Sequence, residues 1–308
     1  MNPQTFPFKV TLDNGDVVLS VTLRRPTIDD QFAFRAAFSE GLGKAITGIL
    51  TACTVSVEDP GPWMVKSSAE GKETACGIDW ERVTSGLRMW AMLTLRIKGK
   101  EGGHLIPVEL LCPMCKRGED EFSVDVDARP IEEGGELLWF EPEDGVAVID
   151  SIVTGAPLSA EIGGIPIKVK PPSGTTELKL QAASEALHKS RGKGEDVNEM
   201  SIQNDVALRG RALQLAAVNT EPPVHPNDLG RWVKALPEDL YDELEAAIEA
   251  SDWGVELSFA AKCPRGHSVA GEVPFVYLFG RPNTAMKSLR DRQRERAKAK
   301  KNRPASPA

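Results

Sequence analysis

Two short cysteine knuckles stand far apart in this chain of 308 residues. Cys112-Pro113-Met114-Cys115 lies near the middle, and Cys263-Pro264-Arg265-Gly266-His267 lies near the end. Together they supply three thiols and one imidazole, the ligand set of a closed tetrahedral zinc site. Each knuckle follows a strand-like run, Val108-Glu109-Leu110-Leu111 in one case and Val255-Glu256-Leu257-Ser258-Phe259 in the other. Each also precedes one, Phe122-Ser123-Val124-Asp125-Val126 and Ser268-Val269-Ala270-Gly271-Glu272-Val273. Strand, knuckle, strand is how a zinc ribbon is built, yet Cys112 and Cys263 are 151 positions apart. A metal held this way staples distant parts of the chain, so the fold must bring the two knuckles face to face.

A chain of this length with 41% hydrophobic residues can bury one large core or two medium ones. No apolar run approaches the roughly 18 residues that a membrane span needs. The start, Met1-Asn2-Pro3-Gln4-Thr5, lacks the basic and apolar regions of a signal peptide, which leads to the expectation of a cytosolic protein. Five cysteines, two of them closely paired, suit metal binding under reducing conditions better than a disulfide framework. The net charge of −8 is unevenly spread: from Arg281 onward ten Lys/Arg face only Asp291 and Glu295, while the preceding 280 residues carry 27 bases against 43 acids. An acidic body argues against a general nucleic-acid binder. The basic tail reads either as a solvated end or as an arm for an acidic partner surface.

Along the chain, Phe8 to Leu12 and Val17 to Leu23 alternate about Asn14-Gly15, a hairpin signal. Thr27 and Asp30 form a variant capping box, and the helix behind it carries Ile28, Phe32 and Ala36 on one stripe, with Phe34 and Phe38 nearby. Leu42, Ile46, Ile49, Leu50 and Cys53 continue at helical spacing, with Cys53 packing as a small apolar residue. Residues 56–78 read as a loop. A long helix then carries Trp80, Val83, Leu87, Trp90 and Thr94, an aromatic stripe expected in a core. Residues 129–156 mix Pro, Gly and acids and read as a connector.

The second half repeats the plan. Leu158 to Ile162 and Ile165 to Val169 flank Gly163-Gly164, followed by helical runs from about Leu178, from Val197 to Val218, near Leu229 to Leu236, and near Leu240 to Ile248. Val10 and Ala160 are 150 positions apart, nearly the separation of the knuckles. The pattern suggests two related lobes whose knuckles meet across a pseudo-two-fold.

The C-x2-C pair alone is also compatible with a redox dithiol, and the second knuckle is irregular, since His267 stands one position beyond the expected second cysteine. Structural zinc on Cys112, Cys115, Cys263 and His267, a metal-free ribbon and a redox pair are the readings to separate. His104 is a reserve fourth ligand, whereas His188 and His225 read as surface residues and Cys76 as a loop residue. No H-E-x-x-H, G-x-S-x-G or phosphate-loop pattern is present, and the expectation is a protein without enzymatic activity.

The run Leu229-Gly230-Arg231-Trp232-Val233-Lys234-Ala235-Leu236-Pro237-Glu238-Asp239-Leu240 leads through Asp252-Trp253-Gly254 and the strand Val255 to Phe259. It then enters Cys263-Pro264 and closes on Val273-Pro274-Phe275-Val276-Tyr277-Leu278-Phe279. This order resembles the T4-type bacteriophage baseplate protein family of contractile tails and related injection systems, chiefly over 225–280. The resemblance implies a binding role without catalytic residues, as a baseplate component or assembly factor (chaperone), in the bacterial host cytoplasm or in the finished particle. Other baseplate or tail proteins would be its partners.

These readings predict an α+β fold of two related lobes, each with a β-hairpin, helices and a knuckle strand, joined by a split zinc-ribbon-like site. The expected divisions are an N-terminal lobe at 1–128, a connector at 129–156, a C-terminal lobe at 157–280 and a basic tail at 281–308. The alternative is a zinc-ribbon adaptor that binds nucleic acid or a transcription complex.

Overall fold

The computed structural model describes residues 4–11, 17–64, 77–115, 121–130, 133–137, 154–191, 199–251, 255–275 and 278–279. The Asn14-Gly15 turn, Cys76, the greater part of the 129–156 connector and the basic tail 281–308 lie outside them. The described residues form a mixed α and β fold with four small antiparallel sheets.

The first sheet opens with β1 (Thr5–Thr11) against β2 (Val17–Arg24), pairing Phe6 with Leu23, Phe8 with Val21 and Val10 with Leu19. These six side chains share one buried face, because strand side chains alternate with period two. Thr27 and Asp30 then close the expected capping box: the Asp30 N–H donates to Thr27 Oγ1 at 3.2 Å, and the Thr27 N–H donates to Asp30 Oδ2 at 2.7 Å. That box starts α1 (Ile28–Phe38). Helix α2 (Leu42–Cys53) buries Ile46, Ile49, Leu50 and Cys53.

The chain passes from α2 directly into β3 (Thr54–Asp59), which pairs antiparallel with β2. Residues 56–59 are therefore strand, which corrects the start of the loop expected over 56–78. The outer edge of β2 has backbone groups to satisfy, and a nearby segment with alternating Val55 and Val57 satisfies them. A 3-10 turn at Gly61–Trp63 follows, with Gly61 at φ +54° and so close to Val18 that an added Cβ would stand 2.2 Å from its carbonyl oxygen. Helix α3 (Ser85–Gly99) begins later than its periodicity suggests. Trp80 and Val83 are buried as expected, but from the turn before the helix.

In the second half, β6 (Leu158–Ile162) and β7 (Ile165–Val169) join through Gly163 and Gly164, both at positive φ. Helices α4 (Gly174–Arg191) and α5 (Glu199–Gln214) lead into β8 (Leu215–Val218), which pairs with β7. The helix expected to run to Val218 thus ends at Gln214, and its last four residues become a strand. Helices α6 (Leu229–Lys234) and α7 (Glu238–Glu249) complete the second core with Leu229, Val233, Leu244 and Ile248. Both three-stranded sheets have the same order, a hairpin joined on its second strand by a third strand that leaves a helix without a loop.

The two knuckles sit at the ends of two-stranded hairpins, β4 (Leu105–Leu111) with β5 (Glu121–Asp127) and β9 (Ser258–Lys262) with β10 (Ser268–Glu272). Leu257, Phe259, Val273, Leu278 and Phe279 pack in the first core beside Ile106, Val108 and Val126. Core membership therefore crosses the boundary expected at 157–280: the second knuckle hairpin closes the first core, not the second. At Gly271 the two hairpins come so close that a Cβ would lie 2.6 Å from Leu110 Cδ2 and 2.9 Å from Phe259 Cζ.

Candidate metal centre

The first knuckle is a reverse turn in which the Cys115 N–H donates to the Cys112 carbonyl at 3.3 Å. The second is one residue longer. Gly266 takes up the extra residue at φ +85°, where side-chain-bearing residues are disfavoured. Its N–H donates to the Cys263 carbonyl at 2.8 Å, and the Cys263 N–H donates to the His267 carbonyl at 2.9 Å. These bonds hold Cys263 and His267 opposite each other beside the last rungs of β9 and β10.

Across the gap, Cys115 Sγ lies 3.9 Å from Cys263 Sγ. His267 Nδ1 lies 3.7 Å from Cys112 Sγ, 3.5 Å from Cys115 Sγ and 3.5 Å from Cys263 Sγ. All four ligand atoms fall within 4.8 Å of one another, an arrangement compatible with a metal ion. Metal–sulfur bonds near 2.3 Å and metal–nitrogen bonds near 2.0–2.1 Å on a tetrahedron give edges of about 3.8 Å between sulfurs and about 3.5 Å from sulfur to nitrogen. The donor set and spacing therefore fit a tetrahedral ion of the zinc class. Cys112, Cys115 and Cys263 are buried, each no more than 4% exposed, and they cluster with Val269 against Leu110 and Phe122.

The electrostatics favour a ligand thiolate. Burial raises the Cys263 thiol pKa, but bonds to the sulfur from the His267 and Arg265 N–H groups and from the Cys112 and Cys115 thiols bring it down to about 7. Cys53 is the contrast. Burial, reinforced by the nearby Asp30 charge, pushes its thiol up to about 12, as suits an inert core residue.

The reserve ligand His104 does not belong to the group of four; its carbonyl accepts from the Ala128 N–H at 2.7 Å. His225 Nδ1 accepts from the Asn227 N–H at 3.2 Å and caps the short turn Pro226–Asp228. The side chain of His188 lies outside the described residues.

No family model, curated protein or solved structure matches this chain.

An ion held by all four side chains would have no position left for a water or a substrate and would join β4–β5 to β9–β10. A second tie, invisible in the sequence, joins the two halves elsewhere. Arg88 on α3 is fully buried and donates from Nη1 to Glu177 Oε2 at 2.6 Å on α4, and from Nη2 to the Gly43 carbonyl and Thr47 Oγ1, both at 2.8 Å, on α2. Ser85 Oγ donates to the other Glu177 oxygen. No spacing rule links residues 89 positions apart, so only the fold reveals this cluster.

No described helix is long and apolar enough to cross a membrane.

Proposed function

We propose that this chain is a non-enzymatic structural protein of two related lobes, whose two knuckle hairpins are clamped beside the first core by one zinc ion on Cys112, Cys115, Cys263 and His267. The observation that carries this reading is the convergence of donors from two knuckles on one tetrahedral spacing. A redox dithiol needs only the Cys112–Cys115 pair, and nothing in that chemistry calls for Cys263 and His267 beside it. The matching strand orders of the two small sheets support the duplication.

The process is assembly of a phage-like contractile-tail baseplate, in which the chain is either a component or an assembly factor. This rests on the resemblance over 225–280, and the order of helices, strand and knuckle there supports it. The basic tail 281–308 would serve as an arm for an acidic surface of a tail protein.

Two experiments test the two parts separately. Elemental analysis of protein prepared without chelator should find about one zinc per chain, and Cys112→Ser should abolish it; metal-free protein that is folded and unaffected by Cys112→Ser would sink the clamp. Deleting the gene from a producing host should stop baseplates from forming, as seen by electron microscopy. Normal particle yield without it would remove the assembly role.

A further inference from the structure

A cavity of about 200 Å³ lies where the turn ahead of α3 meets the start of α4, and its polar lining is made of cations and hydroxyls. Arg82 comes from that turn, Lys170 from the residue after β7, and Lys179 from the second turn of α4. Ser173, Thr175 and Thr176 add the hydroxyls, and Leu213 near the end of α5 supplies an apolar wall. No carboxylate is among these lining residues. Among the described residues none of the three cations forms an ion pair, and Glu177 on the same helix is taken by Arg88 and Ser85. Three unpaired cations around one cavity repel each other, in a body where 27 bases face 43 acids and carboxylates are abundant.

Local bonds position the hydroxyls. The Thr175 N–H and Oγ1 both donate to the Glu81 carbonyl, at 2.6 Å and 3.1 Å, which ties the start of α4 to the turn that carries Arg82. Ser173 Oγ accepts from the Thr176 N–H at 3.4 Å and lies 3.4 Å from Thr176 Oγ1, so one hydroxyl of the pair donates to the other. The second proton is left for a guest, and Thr176 is only 7% exposed. The Glu177 N–H goes to the Ser173 carbonyl at 3.0 Å. Backbone donors in this first turn are thus already used, and side chains make the site.

We infer that this cavity binds a small inorganic oxyanion of the phosphate class, phosphate or pyrophosphate. A cleft lined by one sign of charge concentrates the opposite ion, and bonds from Arg and Lys to phosphate oxygens are of the strong, charge-assisted kind. Size selects among anions, because pockets for drug-sized ligands start at about 300 Å³ and this one is smaller. The bound anion links the turn that places Trp80 and Val83 in the first core to the strand that places Ile167 and Val169 in the second.

Isothermal titration calorimetry of the full chain with phosphate, pyrophosphate and ADP, at constant ionic strength, tests this. Phosphate or pyrophosphate should bind saturably, and Lys170→Met/Lys179→Met should weaken binding about tenfold or more. Arg82→Gln, a change at an exposed side chain, should weaken it as well. Lys9→Met/Lys98→Met removes the same charge from exposed positions outside the cavity and should bind as the unmodified protein does. Absence of saturable binding, or equal loss in the two lysine pairs, would overturn the inference. So would binding that survives the cavity variants, which would place the anion on the basic tail, or ADP binding more tightly than pyrophosphate.

Discussion

Asp30 serves two neighbours at once. It closes the N-terminal box of α1 with Thr27 and takes a two-pronged bond from Arg24, with Nη1 at 2.6 Å and Nη2 at 3.0 Å. Burial would raise its pKa, but the Arg24 and Thr27 bonds outweigh that and hold the carboxyl at about 2, against an ordinary 3.8. A carboxyl depressed on folding stabilises the native state above its unfolded pKa and loses that contribution as pH falls through the folded value. Asp30→Asn should therefore cost about 1–2 kcal/mol at pH 7. The difference from the unmodified protein should shrink between about pH 4 and pH 2, as urea unfolding at several pH values would measure. The box was legible in the sequence because capping is local, three residues end to end. The Arg24 bond was not, because it depends on how β2 delivers its last residue to the helix. The same division applies to the Cys/His cluster. All four residues could be named as candidates from their spacing, whereas the approach of His267 Nδ1 to the thiols and the accommodation of the extra residue by Gly266 needed the loop geometry.

At the level of elements, hairpins and caps were readable and third strands were not. Residues 56–59 look like the start of a loop and Leu215–Val218 like the end of a helix, yet both belong to strands. Each lies against the free edge of a hairpin, and strand formation there depends more on the waiting partner than on the segment's own preference. Helix α1 buries Phe34, whose ring meets that of Phe279 edge-on at 5.1 Å, and leaves the Ile28, Phe32 and Ala36 stripe exposed. The approach of the two knuckle hairpins is equally specific. Gly271→Ala should force Leu110 and the Phe259 ring apart, costing about 1–3 kcal/mol of stability. Thermal unfolding would read this as a lower midpoint, whereas Val269→Ile on the same strand would test whether extra volume alone is responsible.

For the whole molecule, two contacts join distant parts of the chain: the knuckles meet beside the first core, and Arg88 on α3 meets Glu177 on α4. Removing one partner of the Arg88–Glu177 pair leaves a fully buried guanidinium without its carboxylate, so Glu177→Ala should cost about 2–3 kcal/mol. The double variant Arg88→Met/Glu177→Met should recover much of that loss, because it leaves no uncompensated charge. A double-mutant cycle by denaturant unfolding checks both. Chelation tests the other tie. Zinc removal should release β9–β10 and the residues packed around Phe259 and Phe279 before the β6–β8 sheet, seen as earlier loss of amide-exchange protection in 255–279 than in 158–169. By itself the sequence determined what is set by neighbours in the chain: hairpin alternation, the helix cap and the two Cys/His knuckles as candidates for a metal, because period, turn chemistry and donor spacing act over a few residues. Only the tertiary structure decided the geometry in which the knuckles meet, that the second one closes the first core, and that Arg88 meets Glu177. Those outcomes depend on which surfaces are left to bury once the local elements exist, and burial sums over parts of the chain that no short window contains.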